Sequence, residues 1–227
     1  MEGNREYQKV IDYLCDEIRE GRIRQGDRLP TERVLSEQLQ ISRNSTREAL
    51  RSMDYMGIIE SVQGSGNYYT GNVSKRLSEM LRIFLRIKLV TREEICDFRR
   101  TMEKAICASV IENPAAKLQE VESLLEQGNT GEQEEDAEED AAEHDRQFHY
   151  LLATASGNHL WMELMDAVSD VYREWIDEIL RQSDEQTKQA LHRAHREIFR
   201  ALKEKDREAC EAAIDAHYDL VAITQNT

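Results

Sequence analysis

Only Gln40 and Ile41 separate two short amphipathic segments in the first quarter of the chain, and few arrangements can follow from so tight a joint. Thr31 stands at the N-cap position of a helix running through Leu39. Ser42 stands at that of a helix running to about Met56, whose Ala49, Leu50 and Met53 fall on the inward face. Two helices at this separation form a helix-turn-helix candidate. Ahead of them, Tyr7, Val10, Ile11, Leu14 and Ile18 recur at helical spacing, so residues 5–20 read as an amphipathic helix ended near Gly21. After Gly57 the period changes. Two strand-like runs, 58–62 and 67–70, flank Gln63-Gly64-Ser65-Gly66 and predict a β-hairpin.

From about Ser74 only helical patterns follow, interrupted near Val90, at Asn113-Pro114, over 128–131, and near Gly157 and Ser183. The expected fold class is mainly α: three helices and a small hairpin over residues 1–73, then an all-helical bundle over 74–227. Two prolines, ten glycines and 6% aromatics agree with this. A chain of 227 residues can bury a core without disulfides, and Cys15, Cys96, Cys107 and Cys210 form no CxxC pair, so reduced, mostly core-facing thiols are expected. No run approaches the roughly 18 apolar residues of a membrane span, and the first residues hold no apolar signal core. The expectation is a soluble, cytoplasmic protein with no membrane partner.

The net charge of −15 argues against a nucleic-acid partner until it is divided along the chain. Residues 1–71 carry ten basic and twelve acidic side chains, and the remainder carries 20 and 33, so the acidity belongs to the second part. Nine acids and no base fall within 132–145, a run that reads as a solvated loop or helix start. Within 21–51, seven arginines stand against four acids. The segment Ser42-Arg43-Asn44-Ser45-Thr46-Arg47 opens a helix there with hydroxyls, an amide, and two arginines four apart on one face. Arginine can bind guanine O6 and N7 bidentately, and helix N-terminal amides favour phosphate. Taken alone, the helix also fits an arginine-containing solvent face.

The longer string from Gly21, GRIRQGDRLPTERVLSEQLQISRNSTREALRSMDYMGII followed by QGSGNY, resembles the winged helix-turn-helix of the GntR family of bacterial regulators over nearly all of residues 7–70. In that resemblance GDRLP is similar to the family's short first strand, SRNSTREAL to its recognition helix, and Gly64 lies at the tip of the wing. It implies that Arg33, Arg43 and Arg47 contact DNA, with Ser42, Asn44, Ser45 and Thr46 beside them and Gln63 and Gly64 reaching the minor groove. The implied partner is a near-palindromic double-stranded operator, read by a homodimer.

All six histidines lie beyond residue 140. Asp145 and His149 are four apart, hence on one helix face, the spacing at which one helix offers two metal ligands; the same spacing is common in solvated pairs. His195 and His217, on two later helices, could complete a site of three nitrogens and one carboxylate suited to Zn, Ni, Fe or Mn. FRRTME (98–103), DRQFH (145–149), SGNHL (156–160), AHREIFRALKEKD (194–206) and AIDAH (213–217) make residues 77–224 resemble the FCD ligand-binding domain of the FadR-like branch of GntR regulators. The resemblance implies a divalent metal ion, Zn or Ni ahead of Mn or Fe, held by Asp145, His149, His195 and His217, with His144, His159 and His192 outside the site. It also implies that Arg99 faces the carboxylate of a small organic-acid effector, with Asn158 lining the pocket. The alternative for Arg99 is an ion pair with Glu103 one turn on.

Together these readings describe a DNA-binding transcription repressor, not an enzyme, whose operator affinity is controlled by the acid. Two rivals are a metal-dependent helical enzyme and a DNA-binding protein without an effector. Against the enzyme, the chain holds neither HExxH nor ExxH.

Overall fold

The computed structural model describes residues 2–127, 137–182 and 185–224, in two units divided between Arg76 and Leu77. The first unit begins with α1 (Glu2–Arg19), whose fully buried Val10 and Leu14 pack with Leu35 of α2 (Glu32–Leu39) and with Ala49, Leu50 and Met53 of α3 (Arg43–Tyr55). Burying a side chain of this size contributes about 1.5–3 kcal/mol, so this small core is sufficient to order three short helices. The caps act as the sequence predicts: Val34 N–H donates to Thr31 Oγ1 and Ser45 N–H to Ser42 Oγ. Between the helices Gln40 takes a left-handed φ of 52°, and the N–H groups of Gln40 and Ile41 both donate to Ser36 O. The two-residue joint is therefore a closed turn.

The hairpin pairs β1 (Ile59–Val62) with β2 (Gly66–Tyr69), antiparallel, Ile59 opposite Tyr69 and Val62 opposite Gly66. The strand expected at GDRLP shrinks to a single bridge, Arg28 to Tyr68. Leu29 N–H donates to Asn67 O and Tyr69 N–H to Asp27 O, after which Pro30, with no N–H to give, ends the pairing.

The second unit is helical throughout its described residues. The last part of α4 (Val73–Arg86) belongs to it, followed by α5 (Arg92–Glu112), α6 (Gln119–Gln127), α7 (Ala137–Ala155), α8 (His159–Gln182), α9 (Glu185–Glu204) and α10 (Arg207–Thr224). Thr91 and Glu94 close a capping box on α5, and α5 stops before Pro114, where Asn113 Nδ2 donates to Ala155 O and Ser156 O at the end of α7. Ile106, Phe148, Leu152, Met165, Ile198 and Ile214 form the centre of the core. Within it lies a polar layer: Arg99, Glu103, His149, His195 and His217 are each no more than 3% exposed. The helix breaks expected at 128–131 and Ser183, and residues 132–136 of the acidic run, lie outside the described residues. Among the described residues no helix is long and apolar enough to cross a membrane.

Gly57 ends α3 at φ +75°, and a Cβ there would stand 2.5 Å from Asn72 O and 2.8 Å from Arg76 Cγ. Gly64 has the same φ but open space around it. Gly57→Ala should therefore cost about 1–3 kcal/mol, and more than Gly64→Ala, in equilibrium denaturation. Equal costs for the two would contradict the packing assigned to Gly57.

Candidate functional site

In the first unit, Ser42 caps α3 and sets its first turn outward. Arg43, Asn44 and Arg47 are exposed, and with Arg28, Arg33 and the hairpin residues 61–67, Arg43 and Arg47 line one groove. Gln63 and Gly64 are exposed at the hairpin tip. Arg47 pairs with Glu32 at 3.0 Å and Arg33 with Glu37 at 3.2 Å. Exposed pairs of this kind contribute about 0–1 kcal/mol, so both guanidinium groups are only weakly held.

Two side chains expected beside them turn inward. Thr46 is fully buried and donates to Ser42 O, while Ser45 is buried and donates to Glu6 Oε2, 2.9 Å away on α1. They hold α3 to the body of the unit, so their hydroxyls are not presented on the exposed face. Arg28 was not singled out by the sequence, because only the non-local bridge to Tyr68 carries it to the hairpin.

In the second unit, α7, α9 and α10 bring Asp145, His149, His195 and His217 together, with one ligating atom from each within 4.8 Å of the others. His149 Nδ1 lies 2.8 Å from Glu103 Oε1, and a carboxylate only accepts, so Nδ1 carries a proton and Nε2 is the nitrogen turned to Asp145. Tyr218 donates its hydroxyl to Glu103 Oε2 at 2.7 Å. Asp145 Oδ1 stands 3.5 Å from His149 Nε2 and 3.2 Å from His195 Nε2, in neither case with hydrogen-bond geometry. Two ligands each about 2.1 Å from a common cation stand about 3.0–3.4 Å apart. The Nε2 atoms of His149 and His195 and both ring nitrogens of His217 are buried without a hydrogen-bond partner, an expensive arrangement for polar atoms unless something else is coordinated there. The donor set fits a divalent ion.

The electrostatics agree. Burial would raise both carboxyls, but the His149 ring outweighs it and Arg99 adds to the effect, holding Glu103 down at about 2 and Asp145 well below the usual carboxylate range. Burial, reinforced by the His195 and His149 rings, keeps His217 well below its usual value, and burial also lowers His195, so both rings are neutral. Burial and Arg99 oppose protonation of His149, but Glu103 and Asp145 prevail and raise it.

Arg99, 1% exposed, donates from Nη2 to Asp145 Oδ2 at 3.4 Å, and its guanidinium lies 4.4 Å over the Tyr172 ring. Its contact is thus with Asp145, while Glu103 turns to His149 and Tyr218. Asn158 is not brought to this cluster. It is exposed, and its side chain accepts from Leu160 N–H at the start of α8, as asparagine does at a helix start. His159 is exposed, His144 Nε2 lies 2.9 Å from Leu124 O, and His192 contacts Arg196, so all three stand apart from the four clustered ligands. Glu103 is the residue sequence reasoning undervalued. The signal available was its place one turn after Arg99, and the partner that matters lies 46 positions away.

Comparison with known proteins bears on both units. The family described as bacterial regulatory proteins, gntR family, matches residues 6–68, and the FCD domain matches residues 94–220. The HTH-type transcriptional regulator LutR of Bacillus subtilis (strain 168) is 30% identical over 204 residues, covering 88% of this chain and 92% of that protein. The Uxu operon transcriptional regulator of Escherichia coli (strain K12) is 25% identical over 232 residues, covering 96% and 86%. Among solved structures, Streptococcus agalactiae GntR shares the fold with a TM-score of 0.66 at 24% identity, over 97% of this chain and 100% of that one. The family and these relatives are transcriptional regulators, which sets aside the reading of the helical unit as an enzyme. The chain belongs to the gntR family of bacterial regulatory proteins and carries an FCD domain behind its winged helix-turn-helix.

Proposed function

We propose that this regulator is a repressor that binds its operator as a homodimer and responds to a small organic acid held at a divalent metal in the FCD domain. The observation that carries the reading is the convergence of unpartnered, buried ring nitrogens from His149, His195 and His217 on Asp145. These four residues would hold the ion, Zn or Ni by their donor set, with Mn or Fe as alternatives. Bound there, the metal would supply a Lewis acid for a carboxylate oxygen. Once an arriving ion has displaced the proton from His149 Nε2 and all three rings are neutral, Asp145, Glu103 and Arg99 leave one net buried negative charge; a divalent ion turns this into one net positive charge, which a carboxylate cancels. Arg99 is the second anchor, since a guanidinium pairs well with a carboxylate.

On the DNA side, Arg43 and Arg47 would read base edges from the first turn of α3, Arg33 and Arg28 would meet phosphate, and Gln63 and Gly64 would enter the minor groove. A dimer sets two such helices on successive major grooves, which calls for a near-palindromic operator. The exposed Met80, Ile83, Ile87 and Leu89 support pairing of two copies. The acid controls affinity only by binding the DNA-competent and DNA-released states unequally.

Arg43→Ala is expected to weaken binding to an operator selected by the wild type about 5- to 150-fold in a gel-shift titration at fixed salt, with the melting temperature kept. Unchanged affinity removes the base-reading role. Protein purified without a histidine tag should carry about one metal ion per chain by elemental analysis, and His149→Ala should lose it together with the response of DNA binding to acids. Wild-type protein free of metal would favour a regulator without this effector site. Glu103→Gln, which keeps the shape but weakens the hold on His149 Nδ1, should lower zinc affinity about 10- to 100-fold in competition with a chromophoric chelator.

A further inference from the structure

We propose that Glu6 and Tyr7 of α1 form a polar clamp that sets the position of α3, so that base reading by Arg43 and Arg47 depends on two residues that themselves meet no base. The assignment rests on base reading by α3 and adds to it the residues that aim that helix.

Helix α3 does not close its own first turn. Ser42 caps it, but the residue three further on is Ser45, whose side chain is too short to return to the Ser42 N–H as a glutamate does in a capping box. In α5 the box is local, and Glu94 accepts from the Thr91 N–H at 2.8 Å. In α3 the carboxylate comes from α1. Glu6 Oε2 accepts from the Ser45 hydroxyl at 2.9 Å and from the Ser42 N–H at 3.3 Å. The Ser45 hydroxyl first, and then the Ser42 N–H, hold the Glu6 carboxyl below its ordinary pKa. Borrowing the acceptor leaves the first turn of α3 without an acid of its own to oppose phosphate.

Tyr7, the next residue of α1, donates its hydroxyl to Ser52 Oγ at 2.6 Å. Ser45 and Ser52 lie on one face of α3, about 10 Å apart along its axis. Adjacent residues of α1 therefore grip α3 at two separated points. Ala49 and Leu50, between them in sequence, are buried in the core of the unit, but apolar packing is non-directional and tolerates a small slide or rotation. Two hydrogen bonds at separated points do not. An arginine that pairs bidentately with a base edge has to meet two acceptors in one plane, so a displacement of about 1 Å breaks the pairing. Phosphate is bound by charge and tolerates more positions. Loss of the clamp should therefore lower the preference for the operator while sparing general affinity for duplex DNA.

The test is a gel-shift titration of the full chain at fixed salt, with an operator selected by the wild type and an unrelated duplex of the same length, reading the ratio of the two affinities. Glu6→Ala and Glu6→Gln both remove the charge, but only Gln keeps an oxygen that accepts from Ser45 and Ser42. The ratio is expected to fall about tenfold or more in Glu6→Ala and to stay within about threefold of wild type in Glu6→Gln. Tyr7→Phe, which keeps the ring and every charge, should lower it about fivefold or more. All three variants should melt well above the assay temperature. A ratio unchanged in either Glu6→Ala or Tyr7→Phe overturns the clamp, as does an equal fall in Glu6→Gln and Glu6→Ala, which assigns the effect to charge. Wild type that prefers no duplex over another removes base reading itself, and the clamp with it.

Discussion

The hydrogen bond from His149 Nδ1 to Glu103, 2.8 Å long and closed off from water, is the contact around which the helical domain is arranged. A carboxylate and an imidazole are costly to bury singly, so each position in the surrounding core has to accommodate the pair. Glu103 is held in turn by Tyr218, which ties α5 to α10, and His149 ties α5 to α7. The remaining nitrogen of His149 is thereby aimed at Asp145, and His195 and His217 are brought to the same point by α9 and α10. An apolar core of the same volume would fold as readily, so this polar layer is not needed for stability. Its buried, unpartnered nitrogens are the atoms that the proposed cation would complete.

The DNA-binding unit meets a different constraint. Its core is small, and the recognition helix needs a fixed direction from a few bonds. The N-cap at Ser42, the inward Thr46 and the reach of Ser45 to Glu6 provide these, leaving Arg43, Asn44 and Arg47 to face outward. The start of the helix therefore divides its residues between anchors and an exposed face. The exposed ion pairs of Arg33 and Arg47 with glutamates hold the two arginines only weakly.

Under the proposed function the two units would carry different kinds of specificity: in the helical domain, buried groups whose bonding a ligand would complete; in the winged unit, exposed groups that would exchange weak partners for strong ones. Buried donors discriminate strongly between ligands because unmet ones are expensive. Exposed arginines depend on geometry and on salt, because each contact replaces water and counterions.

Helices, caps, the two-residue turn and the hairpin were legible in the amino-acid sequence, because hydrophobic period and capping act within a turn or two of the chain: Thr31 and Ser42 cap where their spacing says they should. The clustering of Asp145, His149, His195 and His217 was legible through resemblance to a family, since the spacing of the first two alone fits a solvated pair equally well. Two outcomes were decided only by tertiary structure: the inward turn of Ser45 and Thr46, and the engagement of Glu103 by His149 and Tyr218. The physical reason is distance along the chain. Ser45 meets Glu6 across 39 positions, and Glu103 meets His149 across 46 and Tyr218 across 115. No local pattern encodes which buried polar group will complete another; that is settled when the helices pack.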